Sequence, residues 1–242
     1  MTILQVVKDV CANVGVAIPQ SLFSGITSSR TMQEMLSTAN EMAQRIAYEY
    51  RDWTRLKTYA VIHGNGVDTE FLLPANYKRM LLTGNVWLGA APSGTLTSVA
   101  QSPLRFIPDT DEWMHRRASD TIESSGEWTL LGDNIIIFPA IALGAAAWYP
   151  YLDKNCVALS SGGSSDAFLN DADSFRLDER VLKLGMIWEW KKSKGASYAE
   201  DLSTYGDALG MLMGHDSPAP IILGSRPIST NARIAYPWPV PS

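Results

Sequence analysis

Apolar positions along this chain change period twice, from helical to alternating and back to helical. Ile3, Val6, Val7, Val10 and Val14 share one face of a short helix over residues 2–14, which Gly15 and Pro19 bring to an end. Thr31 and Glu34 have the spacing of a capping box. Behind them Met32, Met35, Leu36, Ala39, Met42, Ala43, Ile46, Tyr50 and Trp53 recur at three and four, which predicts one long helix over 31–57. From residue 58 the period is two. Segments 58–63 and 68–73 flank Gly64-Asn65-Gly66, a hairpin signal, and 78–88 reads as a further strand. Asp109 caps a short helix through Arg117. A second hairpin joins 127–131 to 134–138 at Gly132-Asp133, and 145–152 is the last strand. Leu177, Val181, Leu182, Leu184, Ile187 and Trp188 then mark one helix, and Ser197-Tyr198-Ala199-Glu200 opens another. The short link between these two predicts antiparallel neighbours.

Helices at both ends with strands between them predict an α+β fold. The expected form is a helical bundle, built from the long N-terminal helix and the C-terminal antiparallel helix pair. An inserted antiparallel β region and an extended C-terminal arm complete it. The expected division is 1–57 with 175–213 as helical body, 58–174 as β-rich region, and 214–242 as arm. Pro218, Pro220, Pro227, Pro237, Pro239 and Pro241 exclude a long helix in the arm. Ile221, Ile222, Leu223, Ile234, Tyr236 and Trp238 are too apolar for a solvated tail, so the arm needs a docking surface.

Composition narrows the function classes. A chain of 242 residues that is 46% apolar can bury a sizeable core. Its 8 Trp and 9 Tyr supply large, stiff contact area of the kind that interfaces use. A net charge of −5 argues against a general nucleic-acid binder. Cys11 and Cys156 stand far apart in no metal spacing and read as buried thiols in a reducing compartment. The first residues carry no signal-peptide pattern, and no window has the roughly 18 apolar residues of a membrane span.

Catalytic chemistry finds no foothold in the pattern. His63, His115 and His215 are scattered, without acidic or cysteine companions at ligand spacing. Asp171 and Asp173 lack the glycine and distal glutamate of a calcium loop. The glycines within residues 160–165 are followed by no Lys-Ser/Thr pair, so they form no phosphate loop. Glu189, in Trp188-Glu189-Trp190-Lys191-Lys192, reads as a helix carboxylate paired with a neighbour such as Lys192. No cofactor is expected.

Several separated stretches, taken in order, resemble one family. They are RDWTRLKTYAVIHGNGVDTEFLLPANYKRML, GEWTLLGDNIIIFP, AAAWYPYLDKNCV and FRLDERVLKLGMIWEWKKSKGASYAEDLSTYGDAL. The order looks like that of the head-to-tail adaptor (connector) proteins of tailed bacteriophages, including the tail-tubular-protein-A-like group. The resemblance covers roughly residues 30–213. It departs at Cys156, where an aromatic residue is common. It implies a homo-oligomeric ring, usually a dodecamer, between the portal of the capsid and the tail or nozzle protein. DNA would pass through the ring without specific binding, and no cofactor, reaction or membrane is implied. The protein is then expected in the neck of the virion after synthesis in the host cytoplasm. The arm residues Ile221, Ile222, Leu223, Ile234, Tyr236 and Trp238 become the expected portal contact. Asp166, Asp171, Asp173 and Asp178 are candidates for the channel wall, beside the plainer reading of a solvated loop. Two other readings stay open: another neck or tail-completion protein, and an enzyme without a recognisable motif.

The stretch YPYLDKNCVAL poses a question of its own. Tyr149 and Tyr151 fall on one face of a strand, Trp148 and Leu152 on the other. Both faces need cover, and only one cover need come from the same subunit.

Overall fold

A computed structural model describes residues 1–23, 30–90, 102–119 and 125–216. The chain begins with α1 (Ile3–Val14) and α2 (Arg30–Tyr48), then β1 (Lys57–His63), β2 (Glu70–Leu72), β3 (Tyr77–Met80) and β4 (Trp87–Ala90). Next come β5 (Ser102–Pro103), β6 (Arg105–Phe106), α3 (Thr110–Ala118), β7 (Glu127–Leu131), β8 (Asn134–Phe138) and β9 (Ala145–Asp153). Three short strands follow, β10 (Val157–Ala158), β11 (Ser164–Ser165) and β12 (Ser174–Phe175), and then α4 (Glu179–Ser193) and α5 (Ala199–Asp216).

Local chemistry sets the helix ends. The Thr2 hydroxyl accepts the Gln5 N–H to start α1, and the Asp178 carboxylate accepts the Val181 N–H to start α4. Glu179 at the head of α4 and Lys191 and Lys192 at its tail complement the helix dipole. The α2 stripe Met35, Ala39, Met42, Ala43 and Ile46 is buried. The helix stops at Tyr48, short of the expected 57. Trp53 still lands on the same stripe because the chain folds back, and its indole N–H donates to the Ile46 carbonyl at 2.7 Å.

Two cores result. The first gathers α1, α2, α4 and α5 and also takes in Leu152, Cys156, Val157, Phe168 and Phe175. The second lies among strands, around Ile62, Val86, Trp128, Ile135, Ile137, Tyr149 and Tyr151. Strand β9 serves both. Its residues Ala145, Ala147, Tyr149 and Tyr151 line the second core, and Leu152 enters the first.

Strand pairing overturns the expected fold class. The molecule is a mixed structure with three sheets among the described residues, not a helical bundle with an inserted antiparallel β region. A five-stranded sheet is centred on β9, with β1 on one edge and β4 and β3 sharing the other, and β5 beyond β4. A four-stranded sheet runs β2-β8-β7-β6, and its β6–β7 pair is parallel. A three-stranded sheet, β11-β10-β12, brings Val157 and Phe175 into the core shared with the helices. Alternation in a sequence shows which residues form strands but not which strand each one hydrogen-bonds, and the sheets are assembled from partners distant in sequence. Residues 214–216, assigned to the arm, are the last turn of α5.

The clearest case is the segment around Gly64-Asn65-Gly66. β1 and β2 do not pair with each other: β1 pairs with β9 and β2 with β8, so the glycines carry the chain from one sheet to another. The backbone of residues 141–145 runs against this crossing. Gly64 donates to the Ala145 carbonyl and Gly66 to the Ile141 carbonyl, both at 2.9 Å. A Cβ on Gly64 would sit 2.4 Å from the carbonyl oxygens of Ile141 and Ala142. Gly64→Ala is therefore expected to destabilise the fold by about 3 kcal/mol, since backbone cannot yield as a side chain can. In urea unfolding the midpoint falls while the slope is unchanged.

Candidate interaction surfaces

On β9, Ala145, Ala147, Tyr149 and Tyr151 point into the second core. Burial, with the neighbouring Tyr151 and Tyr77 phenols, pushes the Tyr149 hydroxyl up to about 12. The Tyr151 hydroxyl donates to Asn76 Oδ1 at 2.8 Å. These rings are packing elements with satisfied or neutral tips.

The opposite face of β9 carries Ala146, Trp148 and Pro150. Cross-strand partners share a face, so register decides what stands beside them. Val61 and Trp87 flank Trp148, Tyr59 faces Pro150, and His63 and Gly89 flank Ala146. The outer face of the five-stranded sheet thus carries an in-register row, Val61–Trp148–Trp87, with Tyr59 next to it. Tyr59 is 68% and Trp87 45% exposed, and Trp148 is half-buried. Gly89 makes room for the row: a Cβ there would lie 2.8 Å from a ring carbon of Trp148. A cleft of about 400 Å³ is lined by Trp87, Leu88, Gly89, Ala90 and Trp148. The question raised by YPYLDKNCVAL is answered on this face. One side of the strand is covered by the second core; on the other, Leu152 is covered by the first core and Trp148 lies in an aromatic surface.

Sequence reasoning singled out the strand and its two faces but missed Tyr59 and Trp87. A signal was present. β1 is apolar in both phases, Tyr59 and Val61 against Ala60 and Ile62, which a strand with one solvated face does not require.

A second surface lies where the start of α4 meets the end of α5. Two adjoining recesses share Asp178, Leu212 and His215. Arg180, Val181, Ala208 and Met211 complete one, and Trp53, Arg55, Leu177 and Asp216 the other. Met211 is 64% exposed on this floor.

The structure gives the four channel-wall candidates different surroundings. Asp173 is 1% exposed, and its carboxylate accepts the N–H groups of Ser160, Leu169 and Asn170 at 2.9, 2.8 and 2.7 Å. Asp171 accepts the Leu22 N–H at 2.7 Å and the Ser21 hydroxyl, fastening the segment after α1. Asp178 caps α4. Asp166 is exposed, and its carbonyl accepts from Gln44 at 3.4 Å. They therefore form no common acidic face: three are engaged with backbone and one faces solvent. The arm positions Ile221, Ile222, Leu223, Ile234, Tyr236 and Trp238 lie outside the described residues.

The remaining chemistry-bearing residues are dispersed. His63, His115 and His215 are exposed on β1, α3 and α5. Glu189 is paired with Lys192 at 3.3 Å and Arg45 at 3.6 Å. Cys11 and Cys156 are free and buried, and burial pushes the Cys156 thiol up to about 11. Among the described residues, no group of three or more His, Cys, Asp or Glu is placed to hold a metal ion, and no helix is long and apolar enough to cross a membrane. No protein-family model matches the chain, and no curated protein matches it.

Proposed function

We propose that the chain is a structural protein of the tailed-phage neck, one subunit of an oligomeric ring that joins the capsid portal to the tail and continues the DNA channel. The observation that carries this reading is the outer face of the five-stranded sheet, with Trp87 and Trp148 side by side in register and Tyr59 on the neighbouring pair, opposite Pro150. Contiguous exposed apolar surface of this kind is a mark of protein partners, and aromatic side chains dominate the buried centres of interfaces. The net charge of −5 suits a ring that lets DNA slide, because phosphate neutralisation by Lys and Arg would hold it. The resemblance over residues 30–213 supplies the kind of assembly, and the aromatic face supplies a place for one subunit to meet the next.

The test is native mass spectrometry of the protein alone and mixed with the portal of the same phage. A multi-subunit ring is expected with portal. The double variant Tyr59→Glu/Trp87→Glu is expected to remain monomeric with the fold intact, at a cost of about 1–2 kcal/mol because Trp87, 45% exposed, packs partly beside Trp148. A wild-type protein that ignores portal and stays monomeric would overturn the reading.

A further inference from the structure

We infer that β1 is a self-pairing edge: in the free protein, two copies of the chain join their β1 strands antiparallel about a twofold axis at Ala60. The pairing uses the edge of the five-stranded sheet and leaves its aromatic face open, so it does not depend on the ring.

Among the described residues β1 pairs with β9 alone and forms the end of its sheet. Hydrogen bonds in an antiparallel pair alternate along the strand. Gly64 donates to the Ala145 carbonyl at 2.9 Å, in the register that sets Ile62 opposite Ala147, Ala60 opposite Tyr149 and Thr58 opposite Tyr151. Those even positions therefore bond to β9, and Tyr59, Val61 and His63 turn their N–H and C=O groups to the open side. Pro150 fits this phase: it stands opposite Tyr59, where no donor to β1 is needed.

An open edge templates pairing with another chain, and proteins blunt it with short strands, charge, proline or bulges. The other outermost strands carry such devices. β2 has three residues and holds Glu70, and β5 is Ser102-Pro103. β3 carries Lys78 and Arg79 and a register shift between Tyr77 and Arg79. β6, β11 and β12 have two residues each. β1 runs for seven residues in unbroken register without proline or glycine, and its interior from Thr58 to Ile62 has no charge.

The strand's own sequence identifies the occupant as a second copy. With the axis at Ala60, Tyr59 stands opposite the partner's Val61 on both sides of the axis. Aromatic and β-branched residues placed opposite each other stabilise an antiparallel ladder. The small Ala60 meets its own copy at the close, non-bonded position. Lys57 faces the partner's His63, far from its own copy, so like charges are kept apart. The Lys57 N–H is already given to the Thr54 carbonyl, which leaves the Lys57 carbonyl free to accept from the partner's His63. Tyr59 and Val61 exchange their bonds, so each open N–H of the strand gains an acceptor. On the outer face the row Trp87–Trp148–Val61 continues into the partner's Tyr59. A seam of one strand is small for a permanent dimer, so the pair forms and dissolves with concentration.

Sedimentation of the full chain tests this. The average mass is expected to rise from that of one chain toward that of two as concentration increases. Tyr59→Pro is expected to abolish the rise with the circular dichroism of the fold retained, because the Tyr59 N–H is not bonded to β9. Cysteine trapping reads the register. The Cα of Ala60→Cys lies roughly 4.5 Å from its copy, within disulfide reach, and that of Tyr59→Cys roughly 8–9 Å, beyond it. Mild oxidation is therefore expected to link Ala60→Cys into dimers and Tyr59→Cys hardly at all. The native Cys11 and Cys156 thiols are buried and do not compete. A chain that stays monomeric at every concentration would overturn the inference and leave the edge to an extended segment of another protein. Pairing that survives Tyr59→Pro, or Tyr59→Cys linking as fast as Ala60→Cys, would overturn it as well.

Discussion

Glu127→Gln is expected to destabilise the protein by about 3–5 kcal/mol, the range for removing one partner of a buried ion pair. Glu127 opens β7 and is 0% exposed. Its two oxygens accept from two arginines of α3, Arg116 at 2.5 Å and Arg117. Arg116 also pairs with Glu112 at 3.0 Å, and the Arg117 guanidinium lies over the rings of Phe138 and Trp113 at 3.8 and 4.7 Å. One carboxylate thus fastens α3 to the four-stranded sheet. Glutamine keeps the shape but removes the charge, leaving two largely buried guanidinium groups against a neutral amide that offers a single acceptor oxygen. At roughly 2–4 °C per kcal/mol for a chain of this size, the melting midpoint falls on the order of 10 °C. A thermal scan reads this directly, and a fall of only a degree or two would show that solvent replaces the missing charge.

The penalty arises from stranded charge, and a double variant separates that from lost contact area. Glu127→Met with Arg117→Met removes the carboxylate and one of its two guanidinium partners, leaves Arg116 paired with Glu112, and keeps apolar bulk, so it is expected to be less destabilised than the sum of its single variants. Strict additivity would mean the groups do not act as a pair.

The helices and the β7–β8 hairpin were legible in the sequence because their determinants are local. Thr2 and Asp178 cap the turns they precede, and Gly132-Asp133 joins strands that are neighbours in sequence. The sheets were not legible because their hydrogen bonds join distant partners. Gly64-Asn65-Gly66 looks like a turn, but its first glycine answers to backbone some 77 residues away (141 less 64), which no local pattern reports. The expected strand over 78–88 is two strands, β3 and β4, that lie end to end along one edge of β9, so its alternation was real and its continuity was not. Trp53 extended the helical stripe by folding back onto it, so periodicity overstated the length of α2.

The candidate site divides the same way. The two faces of β9 follow from alternation alone. The exposed row does not, because Trp87 meets Trp148 only through the pairing of β4 with β9. The acidic residues show the opposite failure. Asp171, Asp173 and Asp178 look like one patch along the sequence, yet short carboxylates in irregular backbone are recruited by nearby N–H groups, and the structure turns each one inward to a separate task.

Asp173 gives the second large effect and the one with a pH signature. Burial pushes its carboxyl up, but N–H groups of Ser160, Leu169 and Asn170 favour the charged form and hold it below the usual carboxylate value. Its own carbonyl accepts the Ile3 N–H at 2.7 Å, so the loop it organises also anchors the first turn of α1. A group with a depressed folded pKa stabilises the protein fully above its unfolded value of about 3.9, and loses that contribution as pH falls through the folded value. Asp173→Asn places an amide N–H₂ against backbone donors and is expected to cost about 2–4 kcal/mol at neutral pH. Because asparagine does not titrate, the gap between wild type and variant should be constant from neutral pH down to about pH 5 and narrow below about pH 4. Urea unfolding across that range measures it. A gap that stays constant into acid would show that packing, and not the charged carboxylate, holds the loop.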